Sequence, residues 1–393
     1  ATKTGAGGRY PLLKNQYDLI SEIGRGRFCK VWSARRVLDA ATVQIAATQP
    51  DTIALVTSTS SSSSSPSSSP SSSSSLPSLS SAPASNGEAS EHVELAAAAK
   101  VFDVSGSASS RRHMEREINA LQRLTYPRVC ALLGVYESKG QTLVMVELMK
   151  GGTLLNYVSR QEAWHEDVAA FVIRQVLEGF QYIHSRAIVH TAVQPCNIGV
   201  VGEGIDDVKI MDFTKALDVR SGPALPWTRI MGRQDNSTAM TMQYCSPEMV
   251  RGAMLGPASD MWSIGVLLYS LLGACLPFPI TTKEDVRDRV AEGSFHFEAQ
   301  HFQSVSADAR DLVTRLLCEK DKYRLSAQQA LQHQWLRPTS AQAWRRKSSP
   351  LNLNALKQFN SVYEADRGAS TSSSSAASSS SFLLSKRQSE DKP

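Results

Sequence analysis

The sequence lacks the features that mark secreted, membrane-spanning and nucleic-acid-binding proteins. Its six cysteines are scattered, without the short spacings of a disulfide framework or a zinc site. Its longest apolar run, Ile264 to Leu276, has about 13 residues and falls short of the ~20 that span a bilayer. The densest basic cluster is only Arg345 to Lys347, shorter than the ~5–8 residues of a nucleic-acid patch. The start has no apolar signal-peptide core. We therefore expect a cytoplasmic chain with no membrane or nucleic-acid partner.

Two serine-rich stretches have too little apolar surface to join a folded core. Serine fills 18 of the 25 positions from Thr57 to Ser81 and 9 of the 12 from Ser370 to Ser381. Such segments cannot offset the entropy cost of ordering. We predict a disordered insertion at about 40–91 and a disordered tail at 369–393. Roughly 300 residues remain, which is ample for a large folded core.

The first folded part is predicted to be rich in β-structure. Apolar and polar residues alternate on both sides of Gly24 and Gly26, which indicates two strands joined by a turn. A helix is predicted over Ser109–Leu124, where apolar residues recur at helical spacing. Further strands are predicted at Val93–Phe102, Ala131–Glu137 and Thr142–Leu148.

The second part is predicted to be mainly helical. Short strands at Ile188–Val201 and Val208–Phe213 and a long loop at Thr214–Glu248 interrupt it. The order of a β-rich part with one helix and then a helix-rich part indicates two lobes of an α+β fold. The predicted helices are Asp167–His184, Ala258–Leu272, Lys283–Ala291, Ala307–Leu317 and Ala327–Leu336.

Short motifs of this chain follow the order of the protein-kinase signature set. A glycine-rich turn comes first, Lys100 follows in an Ala-Ala-Lys strand, and Glu117 lies in the next helix. Val189 to Asn197 resembles the catalytic loop of that family, and Asp212-Phe213-Thr214 resembles its metal-binding motif. Ser246-Pro247-Glu248, Asp260 and Arg324 match later positions. The chain thus resembles a bilobal protein kinase.

The resemblance implies a domain organisation. A β-rich small lobe at 17–148 would follow an N-terminal extension at 1–16, and a helical large lobe would span 149–337. Residues 338–368 would form a regulatory-type tail. Three segments are similar in sequence to the giant muscle kinases, a group that includes titin, twitchin and obscurin. They lie around the glycine turn, around Gly151-Gly152 and at His333-Gln-Trp-Leu. That resemblance implies a sarcomeric location in the M-band region.

Three departures fall inside the catalytic-loop motif. The family's catalytic aspartate position holds Ala192, whose methyl group accepts no proton. The position of the loop lysine holds Gln194, and the position of the arginine that reads a phosphorylated activation loop holds Thr191. Losing a positioned general base typically removes about 10²–10⁴ in rate. We therefore predict a degenerate member, a pseudokinase with no catalytic residues that is not an enzyme.

The nucleotide site keeps some of its parts and loses others. The retained set comprises the loop glycines, the roof of the base pocket, the lysine with its partner and two weak metal candidates: Gly24, Gly26, Val31, Ala98, Lys100, Glu117, Asn197 and Asp212. Cys29 replaces a loop glycine, Gly199 replaces the large aliphatic floor under the base, and Thr214 stiffens a hinge. We expect no cofactor and no bound metal, although weak binding of ATP and magnesium stays open. Lys100 and Glu117 could equally persist as a structural ion pair.

Four matching residues are expected to have structural rather than chemical roles. These are His190, Glu248, Asp260 and Arg324. After residue 337 the tail carries apolar residues that could dock on the chain itself; calmodulin binding and disorder are the alternatives, and Pro350 prevents one long helix.

The sequence as a whole favours a scaffold that binds other proteins. Two alternatives remain. One is a slow, atypical Ser/Thr kinase that uses Lys100, Asn197 and Asp212 with water as proton acceptor. The other is an inactive nucleotide sensor, in which ATP stabilises one conformation for a partner.

Overall fold

The computed structural model describes residues 16–26, 28–36, 96–104, 108–138, 140–162, 164–220, 242–278 and 282–337, with 351, 357, 360 and 361. The predicted insertion at about 40–91 and the tail at 369–393 lie outside the described residues. So do nearly all of the predicted N-terminal extension and most of 338–368. The proposed domain boundaries therefore stay predictions.

The first part of the chain forms the predicted antiparallel sheet. The order across it is β1-β2-β3-β5-β4. Val31 pairs with Lys100, which pairs in turn with Val144, so these three side chains share one face of the sheet. The strands are β1 (Tyr17–Arg25), β2 (Cys29–Arg36), β3 (Ala96–Asp103), β4 (Leu132–Ser138) and β5 (Gln141–Glu147).

One helix, α1 (Ala108–Leu121), connects β3 to β4 and packs on this sheet. Its apolar residues Met114, Ile118 and Leu121 are buried, as the helical spacing predicted. The buried face also carries Glu117, which is turned toward the sheet rather than toward solvent. The helix ends three residues earlier than predicted, at Leu121.

The second part is helical, as predicted. Its long helices are α3, which supplies a buried apolar face, and α5, in which nearly every residue is buried. The helices are α2 (Leu154–Ser159), α3 (Glu166–Ser185), α4 (Pro247–Val250), α5 (Pro257–Gly273), α6 (Lys283–Glu292), α7 (Ala299–Phe302), α8 (Ala307–Leu316) and α9 (Ala327–Leu331).

The helix predicted at Ala327–Leu336 was wrong in its extent. It divides into α9 and a 3₁₀ turn at Gln334–Leu336. His333 separates the two because its side chain accepts a hydrogen bond from the Trp335 amide, a local bond that competes with the helical ladder.

Two small sheets lie between the lobes and hold the functional loops. One contains β6 (Gly152–Thr153), β8 (Ile198–Val200) and β9 (Val208–Ile210). The other pairs β7 (Ile188–Val189) with β10 (Leu217–Asp218), a strand that the sequence pattern did not predict. A continuous buried core extends from Phe102 and Ile118 in the small lobe to Trp262 in the large lobe.

The six cysteines form no disulfide. Within the described ranges, no helix is long and apolar enough to cross a membrane.

Candidate active site

Strand β3 and helix α1 bring Lys100 and Glu117 together. The Lys100 Nζ lies 2.6 Å from Glu117 Oε1, and the Glu117 side chain is 1% exposed. Burial raises the pKa of Glu117 to about 7, although the charge of Lys100 opposes that rise. The sheet and the helix are therefore joined by a buried ion pair at the inner face of the small lobe.

Asp212 adds a second carboxylate to this pair. Its Oδ1 lies 3.5 Å from Lys100 Nζ and accepts a hydrogen bond of 2.7 Å from the Thr214 hydroxyl. Burial alone would raise the pKa of Asp212, but Lys100 and the Thr214 hydroxyl together hold it well below its usual range. Burial alone would lower the pKa of Lys100, but the two carboxylates outweigh burial and raise the pKa of Lys100. Asp212 is therefore ionised at neutral pH, with 37% of its side chain exposed.

The catalytic-loop region is fixed by Asp260 of helix α5. Its two carboxylate oxygens accept hydrogen bonds from the backbone amides of His190 at 2.9 Å and Thr191 at 2.7 Å. Thr191 has φ +61°, a left-handed conformation that is strained for a β-branched residue. Its hydroxyl donates to the Lys215 carbonyl at 2.8 Å. The surrounding bonds thus hold the loop in a conformation that the residue itself disfavours.

The His190 side chain makes two hydrogen bonds to the backbone of the catalytic-loop region and of the segment after β9. Its Nδ1 accepts a hydrogen bond from the Ala192 amide at 3.2 Å, so its Nε2 carries the proton and donates to the Met211 carbonyl at 3.1 Å. Burial lowers the pKa of His190 and keeps the ring neutral. The structural role expected for this residue stays a prediction.

Ala192 and Asn197 lie together at the mouth of the loop. The Asn197 side-chain amide donates to the Ala192 carbonyl at 2.8 Å, and Asn197 is 4% exposed. Asn197 ends a 3₁₀ turn, Pro195–Asn197, that leads directly into β8. Gln194, at the position of the family's loop lysine, precedes this turn. The backbone of the loop is therefore held in place by hydrogen bonds, while the side chain at position 192 is only a methyl group.

The glycine-rich turn between β1 and β2 carries an internal backbone hydrogen bond. The Gly26 amide donates to the Cys29 carbonyl at 2.8 Å, and Gly24 pairs with Val31 across the strands. Burial raises the pKa of the Cys29 thiol to about 12, so it remains a neutral thiol. Phe28 stacks on His113 of α1 with ring centroids 3.6 Å apart, a contact the sequence pattern did not reveal.

Two methionine side chains lie beside Gly199, the position at which a pocket floor was expected to be missing. A side chain at Gly199 would place its Cβ 2.4 Å from Met149 Cγ and 3.1 Å from Met211 Sδ. The two methionines therefore occupy the space of the large aliphatic residue that the family carries at this position. Thioether side chains fill irregular gaps well. Val31 and Ala98 lie on the face of the sheet that carries Lys100.

Glu248 and Arg324, which match later positions of the kinase motif set, form an ion pair inside the large lobe. Arg324 donates to Glu248 at 2.8 Å and 3.2 Å and to the Ala258 carbonyl at 2.6 Å. The Arg324 side chain is fully buried, and Glu248 also accepts from Ser259. Bidentate pairing of this kind satisfies both charges and fixes their geometry.

Two residues of the predicted tail contact the large lobe near α2. The Leu351 amide donates to the Trp164 carbonyl at 2.8 Å, and Leu351 is 6% exposed. The Asn360 side-chain amide donates to the Leu155 carbonyl at 3.3 Å. These are contacts of individual residues; the rest of that stretch, apart from Lys357 and Ser361, lies outside the described part of the chain.

Comparisons with known proteins agree with this architecture. A family profile described as "Protein kinase domain" matches residues 87–336. Death-associated protein kinase 2 of Mus musculus is 32% identical over 269 residues, which cover 66% of this chain and 70% of that protein. The match of the profile begins after the serine-rich stretch Thr57–Ser81, which separates β1 and β2 from the rest of their sheet in the sequence.

Two solved muscle-kinase structures share the fold. The twitchin kinase region from C. elegans has a TM-score of 0.67 at 21% identity, over 92% of this chain and 52% of that one. The autoinhibited serine kinase domain of titin has a TM-score of 0.63 at 21% identity, over 88% of this chain and 87% of that one.

These comparisons overturn one prediction. The chain was expected not to be an enzyme, because the catalytic aspartate position holds Ala192. The profile and the relatives that match it are those of protein kinases. The prediction of a non-enzyme is therefore wrong, because the profile matches residues 87–336 in spite of the departures at positions 191, 192 and 194.

Proposed function

Because the chain belongs to the protein kinase family, we propose that it is a slow Ser/Thr-type kinase domain that binds magnesium-ATP between its lobes. The observation that carries this proposal is the cluster of Lys100, Glu117 and Asp212. Nζ lies 2.6 Å from Glu117 Oε1 and 3.5 Å from Asp212 Oδ1. A cation held between two carboxylates on opposite lobes is the arrangement that positions nucleotide phosphates beside a metal.

The residues of the cleft fit a magnesium ion. Asp212 is ionised and part-exposed. Asn197 donates its amide nitrogen to the Ala192 carbonyl, and its amide oxygen lies 3.5 Å from the Cys196 thiol, a long contact that a metal ion could replace. Magnesium favours such oxygen ligands, together with water and substrate phosphates. When bound, it would neutralise charge on the transferring phosphoryl group. Among the described residues no cluster of three or more His, Cys, Asp or Glu side chains could hold a metal alone.

The rate is limited by the residue at 192. A methyl group neither orients the substrate hydroxyl nor accepts its proton, which removes about 10²–10⁴ in rate. The proton passes to water. Positioning and electrostatic stabilisation, which dominate phosphoryl transfer, are left to Lys100, Asn197 and Asp212.

A protein-binding role beside catalysis is the second candidate. Its support is that the large lobe keeps its stabilising contacts although position 192 has lost its carboxylate. These contacts are the buried Arg324–Glu248 ion pair and the hydrogen bonds that Asp260 accepts from the loop backbone. The muscle-kinase neighbours suggest a muscle cytoskeletal location. Within that group, the degenerate catalytic loop with Thr191, Ala192 and Gln194 favours, as a narrower proposal, the first kinase-like domain of an insect obscurin.

The tail is proposed to dock on the large lobe and regulate access to the cleft. Its support is the pair of contacts from Leu351 and Asn360 to Trp164 and α2. The titin neighbour is described as autoinhibited, which makes a regulatory role for this segment a natural one.

Two measurements on purified protein test the proposed function. Magnesium-ATP at about tenfold its Kd should add roughly 1.4 kcal/mol of stability, a melting shift of about 2–4 °C at this size. Radiolabelled ATP should then label a mixed Ser/Thr peptide pool slowly, and Lys100→Ala should abolish the labelling. Lys322→Ala, on the exposed surface of the large lobe, is the matched control. Labelling that survives Lys100→Ala, or its complete absence despite ATP binding, would overturn the proposal.

A further inference from the structure

Two thioether side chains converge on Gly199. A Cβ placed on Gly199 would lie 2.8 Å from the sulfur of Met149 and 3.1 Å from the sulfur of Met211. Met149 lies between β5 and β6, and Met211 lies between β9 and Asp212. Two oxidisable sulfur atoms from segments that are distant in the sequence are therefore brought to one point beside the Lys100 cluster.

The backbone around both methionines is held in place, so a chemical change at either sulfur falls on the side chain. The Met211 amide donates to the Asn197 carbonyl at 3.0 Å, and the Met211 carbonyl accepts from His190 Nε2 at 3.1 Å. The Met149 carbonyl accepts from the Gly152 amide at 3.0 Å. A change in either sulfur is thus expressed where the two side chains meet, rather than absorbed by a shift of the chain.

Met149 and Met211 differ in accessibility from most methionines of the described chain. Both are half-buried, which leaves part of each side chain open to a small molecule. Met254, on the loop between α4 and α5, is the other accessible methionine among the described residues, at 48% exposed. A small oxidant can therefore reach these three without unfolding the protein. The buried methionines are Met114, Met145, Met242, Met249 and Met261.

Oxidation of a thioether requires no ionisation of the sulfur. Cys29, at the start of β2, has a thiol pKa of about 12 and stays neutral, whereas the reactive form of cysteine is the thiolate. With a hydroperoxide, the thioether lone pair attacks one peroxide oxygen and an S–O bond forms as the O–O bond breaks. The proton of the transferred oxygen passes to the departing hydroxide, which leaves as water. The sulfur is oxidised to a sulfoxide and the peroxide is reduced.

We propose that Met149 and Met211 form a methionine-oxidation site at which a hydroperoxide lowers the affinity of the cleft for its nucleotide. The inference rests on the proposed function, in which the base of magnesium-ATP binds beside Gly199. A sulfoxide turns a flexible apolar side chain into a polar, chiral one. Its oxygen is an acceptor that the face of a base cannot satisfy, and a buried acceptor without a donor is costly. Little room remains on the Gly199 side, where a Cβ would lie 2.4 Å from Met149 Cγ.

The site acts on nucleotide binding and leaves the phosphate-positioning groups unchanged. Lys100 keeps its contacts with Glu117 and Asp212, because neither methionine side chain belongs to that cluster. Oxidation should therefore raise the Kd for magnesium-ATP about tenfold, which corresponds to ~1.4 kcal/mol. The rate at saturating ATP should stay within about twofold, since interactions made at the transferring phosphate are retained.

Controlled oxidation of the full chain tests the site. The protein is treated with dilute hydrogen peroxide and then with dithiothreitol, which returns disulfides and sulfenic acids to thiols. Peptide mass spectrometry then locates each added oxygen. Met149 and Met211 should be oxidised about tenfold faster than Met145, and magnesium-ATP should slow their oxidation but not that of Met254. At about tenfold the original Kd, the melting shift with magnesium-ATP should fall from about 2–4 °C to about 1 °C.

A double variant and its control identify the responsible residues. Met149→Leu combined with Met211→Leu removes both thioethers at nearly constant volume. Its melting shift with magnesium-ATP should be the same before and after peroxide. Met254→Leu is the matched control, since it removes an accessible thioether from the large lobe and should leave the effect of peroxide unchanged. In the oxidised unaltered chain, methionine sulfoxide reductases for both epimers should restore the shift, which tests the site without any variant.

The outcomes separate this inference from the proposed function. No melting shift in the unoxidised chain contradicts the proposed function, and the inference falls with it. A shift that survives conversion of Met149 and Met211 overturns the inference alone. So does a peroxide effect that persists in the double variant or resists the reductases, and so does resistance of both methionines while Met254 is converted. A large drop in the melting temperature of the oxidised chain without ATP would show disrupted packing instead and would also overturn it.

Discussion

The side chain of Met149 fills the space in which Gly199 would otherwise carry a side chain. A Cβ at Gly199 would lie 2.4 Å from Met149 Cγ and 2.8 Å from its sulfur. The glycine and the methionine, which follows β5, thus share one space.

The shared space predicts what happens when Gly199 is replaced by the larger residue that the family carries. Gly199→Leu, which returns the family's aliphatic residue, should destabilise the domain by about 1–3 kcal/mol through overpacking. Gly199→Leu combined with Met149→Ala should recover much of that loss, because the leucine then has room. Urea unfolding of both single variants and the double variant measures the coupling. Additive effects would contradict the shared space.

The Arg324–Glu248 pair is predicted to hold the large lobe together. Arg324→Met leaves Glu248 buried without its cation, so the free energy of unfolding should fall by about 3–5 kcal/mol. Arg315→Met is the control, since Arg315 makes an exposed helical pair with Asp311 that should contribute under about 1 kcal/mol. Chemical denaturation gives both values, and equal effects of the two variants would argue against the assigned role.

A pH dependence follows from Glu117. Its pKa rises from 4.5 to about 7 on folding, so the native state binds more protons than the unfolded state between those values. Stability from this group is therefore present at the acid end of that window and is lost as pH rises through it. Measured from pH 5 to pH 8, the unaltered chain should lose stability relative to Glu117→Gln. A constant difference between the two proteins across that range would contradict the raised pKa.

Thr214 is predicted to tune the neighbouring carboxylate. Its hydroxyl donates to Asp212 Oδ1 at 2.7 Å and is among the groups that lower the pKa of Asp212. Thr214→Val, which keeps the shape and removes the donor, should raise that pKa. Because a depressed carboxylate pKa contributes stability above its unfolded value, the variant should lose less stability on acidification below about pH 4. Unfolding at pH 3 and pH 7 tests this, and identical acid sensitivity would count against it.

The sequence predicted the fold well because its signals were local. Alternation around the glycine turn and helical spacing near Glu117 placed β1, β2 and α1 within a few residues of their observed bounds. Strand β10 was missed because two residues give no periodic pattern. Their partner, β7, is supplied only by the fold.

Less of the candidate site could be predicted from the sequence, because its geometry depends on contacts between segments that are distant in the chain. Lys100, Glu117 and Asp212 were found from motif order, but their distances depend on how β3, α1 and the segment after β9 pack. The contacts of Gly199 were not predicted because position 199 was compared with its family residue in isolation. Met149 and Met211 are distant in sequence, and only the packing of β8 brings them against Gly199.

The rate of phosphoryl transfer by Ala192→Asp tests the central claim most directly. The Asn197 amide and the Asp260 anchor already hold this loop, so an aspartate there should raise the initial rate about 10²-fold or more over the unaltered chain. ATP-dependent melting shifts should be similar in both proteins. An unchanged rate with ATP binding intact would contradict the account, because the residue at 192 would then not be what limits this kinase.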